Sequence, residues 1–139
     1  MKLIFIYFFP AIILMSNTST YNPIQYQSIT LKESIKRGNE IYTDFCMQCH
    51  LTNGEGVKNI FPPLANSDYL IKYKEASIRS IKFGLQGEIT VNDIKYNGIM
   101  TNLGLSNDEI ADVMNYITNS WGNKNDKIIT KKEVAKIKK

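Results

Sequence analysis

Residues 46–50 read Cys-Met-Gln-Cys-His, and they constrain the chain more than any other stretch. A Cys-x-x-Cys-His run is the signal for covalent attachment of a c-type haem. The two thiols add to the haem vinyl groups as thioethers, and a two-residue spacer on a helical turn sets the sulfurs about as far apart as those vinyls. His50, next in line, is then held beneath the iron and presents an imidazole nitrogen as proximal ligand. The 139 residues contain two cysteines and one histidine, all inside this window. A structural disulfide between Cys46 and Cys49 would close a tiny loop and constrain the unfolded chain little. A zinc site wants four ligands, and no further Cys or His exists. A thioredoxin-like redox pair needs a βαβ setting that the flanking residues do not offer.

The length suits one domain plus appendages. Hydrophobic residues make up 43% and charged residues 22%, ordinary values for a globular protein. The net charge of +4 is unevenly spread: Thr20 to Gly122 holds 9 Lys/Arg against 11 Asp/Glu, whereas Asn123 to Lys139 holds 7 against 2. The basic excess belongs to the tail, so no basic face for nucleic acid is expected on the domain. Lys2 followed by the apolar run Leu3 to Met15 reads as a secretory signal, residues 1–19, with polar residues after it. Thirteen helical residues span about 20 Å, short of the roughly 30 Å hydrocarbon core, which disfavours a retained anchor. No cysteine near the cleavage region allows a lipid anchor. Export to the periplasm or the outer face of the cytoplasmic membrane agrees with c-type haem attachment.

Residues 20–29, with Pro23, are expected to form an extended lead-in. Thr30 to Glu33 is a capping box, predicted to open a helix with Leu31, Ile35, Gly38, Tyr42 and Phe45 on one stripe running into Cys46. Gly38 costs that helix about 1 kcal/mol against Ala and is either tolerated or a close-approach point for another helix. Asn53 to Gly56 signals a turn, and the rigid Phe61-Pro62-Pro63-Leu64 can offer a carbonyl to the second ring nitrogen of His50. A short helix is expected from Ser67-Asp68 to Lys72, and another from Glu75 to Phe83 with Ile78, Ile81 and Leu85 inward, ended by Gly84. Ile89 to Val91 and Ile94 to Tyr96 flank Asn92-Asp93 as a small hairpin. Ser106 to Glu109 is a second capping box, before a helix with Ile110, Val113, Met114, Ile117 and Trp121 inward, ending at Gly122. A third box at Thr130 to Glu133 opens a short basic segment within the tail, residues 124–139.

An electron carrier needs a ligand on the far side of the iron. Met47 lies between the thioether cysteines and cannot reach it, and Met114 falls in a helix stripe where methionine fills core space. Met100, in a loop after Gly98, remains, with Tyr96 as a pocket wall. Lys58, Lys72, Lys74, Arg79, Lys82 and Lys95 are candidates to ring the haem edge and steer an acidic partner.

From Leu31 to Asn123 the chain resembles the class I cytochrome c family, on Gly38 and Tyr42, Cys46 to His50, Gly54 and Gly56, Pro63-Leu64, Tyr96 to Met100, and Asn119 to Asn123. It is similar to small bacterial cytochromes c and to c-type domains linked to copper nitrite reductases and quinoprotein dehydrogenases. The resemblance implies an all-α cytochrome c fold over residues 30–123, four to five helices around one covalent haem c, with a small hairpin before the methionine loop. It also implies first and last helices crossing at Gly38, Tyr42 near Tyr116, the Pro63 carbonyl on His50, and Met100 as the second iron ligand. Two positions depart from the family pattern: Thr101 stands where a proline usually follows the methionine, and Asn92-Asp93 where Asn-Gly is frequent. The implied function is one-electron transfer by a monomer between redox partner proteins. The competing readings are a gas-binding or enzymatic haem protein with a labile Met100, and a fixed subunit of a larger oxidoreductase. The basic tail would then be a docking arm, a contact with an anionic membrane surface, or a loose end.

Overall fold

A computed structural model describes residues 23–139, with side chains described from residue 30. The signal-peptide expectation therefore lies outside the described residues. Helix α1 spans Pro23–Phe45 and α2 is the single turn Met47–His50; α3 (Asp68–Lys72) and α4 (Lys74–Phe83) follow a long loop. Strands β1 (Leu85–Val91) and β2 (Ile94–Met100) form an antiparallel hairpin, and α5 (Asn107–Ile117) and α6 (Lys131–Lys136) complete the chain. Among the described residues no helix is long and apolar enough to cross a membrane.

The first helix begins earlier than its capping box suggested. It is already helical at Pro23, so residues 23–29 are not an extended lead-in, and Thr30 lies inside the helix. Pro23 suits a helix start because its missing N–H would find no intrahelical partner there. The buried face also differs from the expected stripe. Ser34, Gly38, Tyr42 and Cys46, spaced by four, are buried, while Leu31 and Ile35 flank them and Phe45 is exposed. A polar Ser34 takes a core position because α5 supplies it with partners. Its hydroxyl donates to Asp112 at 2.5 Å and accepts from the Asn115 amide at 2.8 Å.

Helices α1 and α5 cross at Gly38. A Cβ there would collide with the Asp112 carbonyl and lie 2.7 Å from the Tyr116 Cβ, so the close approach is the reason for glycine at that position. Arg37 clamps the crossing with two hydrogen bonds to Asp112, at 2.6 and 2.9 Å. Tyr42 meets Tyr116 with ring centroids 5.4 Å apart, and Trp121 at 4.9 Å, in tilted geometry favoured by the ring quadrupoles.

Helix α5 opens with the expected Ser106–Glu109 capping box but stops at Ile117, five residues before Gly122. Trp121 lies beyond the helix at φ 50°. It folds back onto Tyr42 and Tyr116 instead of extending the helical stripe. The helix is buried on several sides at once, so its interior polar groups need partners. Asn115, fully buried, receives the Ile129 N–H and donates to the Ile129 carbonyl, both at 2.8 Å.

That pair draws the basic tail onto the domain. Ile129 and Val134 are buried, α6 starts at the predicted Thr130–Glu133 box, and Lys82 caps its end by donating to the carbonyls of Val134 and Ile137 at 2.8 and 3.0 Å. From Ile129 onward the tail packs on the domain through Ile129, Val134 and Ile137, with its lysines exposed.

Candidate functional site

The cysteine-bearing turn is a continuation of α1. The Cys46 N–H donates to the Tyr42 carbonyl at 2.9 Å, and the N–H groups of Cys49 and His50 both reach the Cys46 carbonyl, at 3.2 and 3.0 Å. One turn therefore carries Cys46, Cys49 and His50, and all three line a single cavity of about 160 Å³. The thiols are free, Cys46 buried and Cys49 exposed. Burial, and secondarily the neighbouring Cys49, pushes the Cys46 thiol up to about 11.

His50 donates from Nδ1 to the carbonyl of Pro62 at 2.9 Å. The expected acceptor was Pro63, one residue on. The loop geometry explains the difference. The N–H groups of Val57 and Phe61 each donate to the other's carbonyl at 2.8 Å, closing a tight turn, and Gly56 donates to the His50 carbonyl at 3.0 Å. A Cβ on Gly56 would run into the carbonyls of Phe61 and Pro62. Its absence lets that segment lie against the imidazole with Pro62 foremost. Desolvation lowers the His50 pKa, opposed by this hydrogen bond. The lowered value favours the neutral ring, and with Nδ1 donating to Pro62 the lone pair falls on Nε2.

The hairpin forms the opposite wall. Its register pairs Leu85 with Met100, Gly87 with Gly98 and Ile89 with Tyr96, and all six residues line the cavity. Met100 is thus the last residue of β2, not a loop residue as expected, and residues 101–106 after it have no regular structure. A Cβ on Gly87 would meet nothing within 4 Å, and one on Gly98 only the Ile60 carbonyl at 3.5 Å. The central glycine pair leaves a side-chain-wide gap between two apolar pairs. A second cavity of about 70 Å³ shares Cys46, His50, Pro62, Leu85, Ile89 and Met100 with the first, so both belong to one cleft between α2 and the hairpin. A flat, largely apolar ring fits that gap. The donors lining the cleft include one imidazole and one thioether, from His50 and Met100, a set suited to an iron already held in a macrocycle. Met114 is fully buried in the α5 core, and Met47 packs against the core between the cysteines.

None of the six cations proposed to ring the cleft lines it. Lys72 bonds Asp68 at 3.0 Å, Lys74 faces Glu133 at 3.6 Å, Lys95 bonds Glu88 at 2.9 Å, Arg79 donates to the Lys138 carbonyl at 3.0 Å, and Lys82 caps α6. Three contributions escaped the sequence reading. Gly87 was not singled out because its role depends on cross-strand register. Asn123 joins the proximal loop to α5, donating to Leu64 at 2.6 Å and Ile117 at 2.8 Å. Tyr42 uses its hydroxyl as well as its ring, donating to the Leu51 carbonyl at 2.6 Å.

With this geometry in view, comparison with known proteins identifies the class. The family model "Cytochrome c" matches residues 35–121. The chain is 40% identical over 110 residues to cytochrome c-552 of Thermus thermophilus, covering 73% of this chain and 83% of that protein. It is 30% identical over 115 residues to the cytochrome c subunit of the quinone alcohol dehydrogenase of Gluconacetobacter polyoxogenes, of which it spans 22%. It is 28% identical to the gluconate 2-dehydrogenase cytochrome c subunit of Pantoea cypripedii, of which it spans 24%. The chain belongs to the cytochrome c family. It is an electron-transfer protein with a covalent haem c, on a mostly helical cytochrome c fold with a small two-stranded hairpin.

Proposed function

We propose that this cytochrome is a one-electron shuttle in which Cys46 and Cys49 would hold the haem as thioethers, His50 and Met100 would be the protein's donors to its iron, and exchange with partner proteins takes place at the cleft mouth. The observation that carries the reading is that these four side chains, from the 46–50 turn and the far end of β2, line one apolar cleft. The bound haem supplies the one-electron couple. His50 contributes a neutral imidazole whose second nitrogen is held by Pro62, which fixes the ring and raises its basicity. Met100 contributes a soft thioether, which favours the reduced state. Leu85, Ile89 and Tyr96 exclude water, and the low-dielectric lining acts in the same direction by disfavouring the extra positive charge of the oxidised state.

The cleft mouth carries Phe45, Ile60 and Ile99, which are 45%, 57% and 73% exposed, and among the described residues no charged side chain lines the cleft. Partner association at the mouth is therefore expected to have a large apolar component. Residues 1–19 are read as an export signal, with function in the periplasm or at the outer face of the cytoplasmic membrane. The similarity to dehydrogenase cytochrome subunits favours a second reading, a fixed electron-transfer subunit of a larger oxidoreductase. Co-purification of the native protein with a dehydrogenase would select it.

The test is the visible spectrum of the haem-loaded protein, oxidised and reduced, with and without carbon monoxide. A low-spin reduced spectrum that carbon monoxide leaves unchanged, and that becomes carbon monoxide-sensitive in Met100→Ala, supports the shuttle. Ready carbon monoxide binding by the unaltered protein sinks the closed His50/Met100 site and favours a gas-binding or enzymatic role.

A further inference from the structure

Tyr42 grips both ends of the haem-attachment segment. Its backbone carbonyl accepts from the Cys46 N–H at 2.9 Å, and its hydroxyl donates to the carbonyl of Leu51, the residue after His50, at 2.6 Å. Leu51 sits at φ 61°, ψ 173°, a conformation that a branched side chain rarely adopts and that surrounding bonds must hold. Those bonds are its own N–H to Met47 at 2.9 Å, the long Gly54 N–H bond to its carbonyl at 3.3 Å, and the Tyr42 hydroxyl. The side chain of Tyr42 is 1% exposed, and its ring packing against Tyr116 and Trp121 needs no hydroxyl. A phenylalanine would fill the same space. The hydroxyl oxygen is thus placed on the Leu51 carbonyl for what that bond does to its neighbour.

We propose that Tyr42 is a positioning residue for electron transfer: through the Leu51 carbonyl it holds the His50 backbone, and with it the imidazole plane, in one orientation in both oxidation states. This rests on the reading of His50 as the proximal iron ligand. Pro62 holds the ring at Nδ1, Gly56 the His50 carbonyl, and Tyr42 the next carbonyl along, so the ligand is braced from three directions. A ligand free to tilt would change geometry on reduction, and that reorganisation slows transfer.

The experiment compares haem-loaded Tyr42→Phe with haem-loaded Thr118→Val. Thr118 is an equally buried hydroxyl, bonded to the Met114 carbonyl at the same 2.6 Å, outside the attachment segment. Three quantities are read: thermal midpoint, the paramagnetically shifted NMR resonances of the His50 ring in the oxidised protein, and the electron self-exchange rate. The expected result is a lowered midpoint in both variants, but displaced His50 resonances and self-exchange slowed roughly three- to tenfold only in Tyr42→Phe. Unchanged resonances and rate in Tyr42→Phe overturn the proposal, as do equal changes in the two variants. Absence of iron-shifted His50 signals from the unaltered protein removes the underlying ligand assignment, and this proposal with it.

Discussion

The two walls of the cleft are built on different principles. The proximal wall, residues 46–66, has little regular structure and is held by backbone bonds across its own loop. The Gly54 carbonyl accepts from Leu64 and Ala65 at 2.7 and 2.8 Å, Gly56 reaches back to His50, and Asn123 pins Leu64 from the far side of α5. The distal wall is a regular hairpin whose ladder is local. It is tied at its tip, where Asp68 and Asn92 each donate a backbone N–H to the other's side chain, at 3.0 and 2.7 Å. At its Met100 end the chain runs on into irregular structure, and Ile99 beside it is 73% exposed. The contrast teaches that the proposed proximal donor, His50, is set among several cross-loop bonds, while the proposed distal donor, Met100, lies at the end of a strand where the ladder stops, next to Thr101.

The sharpest way to break the contrast is a methyl group at a glycine of each wall. Gly56→Ala, at φ 62° with backbone carbonyls in the way, is expected to cost about 3 kcal/mol or more, and to lose the His50–Pro62 bond. Denaturant unfolding and the His50 ring resonances would read these. A near-neutral result would mean the proximal wall yields as easily as the distal one. Next in size, Val134→Ala removes fully buried methyl groups from the core that α6 shares with α5, at about 2–3 kcal/mol. Hydrogen exchange should show both walls loosened with their ranking preserved; loosening of the hairpin alone would show that the tail buttresses one side.

Smaller still, Gly87→Ala faces open space and incurs backbone strain alone at φ 108°, about 1–2 kcal/mol. Its methyl projects into the gap meant for the macrocycle, so the visible spectrum is expected to change more than the unfolding midpoint. The smallest effect concerns the hairpin tip. The Asn92 N–H, then Lys72, hold the Asp68 carboxyl below its ordinary value of 3.8. A depressed carboxylate contributes stability above its unfolded pKa and loses it as pH falls through the folded one. Asp68→Ala should therefore be slightly less stable than the unaltered protein near neutrality, with the gap closing below about pH 3.8. A gap independent of pH would mean the tip is anchored by something other than this charge.

What could be read from residues alone was local. Cys46, Cys49 and His50 announce their chemistry because a five-residue spacing on one helical turn suffices to aim all three. The caps at Ser106 and Thr130 were legible for the same reason, since each box is closed within four residues. The glycine at 38 was visible as an anomaly, but its partner Asp112 was not, because the crossing joins residues 75 or so positions apart whose contact depends on both helix axes. The choice of Pro62 over Pro63 turned on a loop closure by Val57 and Phe61 that no propensity describes. The helix running back to Pro23 and the tail folded under α5 were likewise tertiary decisions. Sequence by itself determined the attachment chemistry and the family, because those reside in short-range pattern. Only the tertiary structure decided which carbonyl steadies the histidine, what faces Met100 across the gap, and where the charges go, because each depends on surfaces that meet only after the chain has packed.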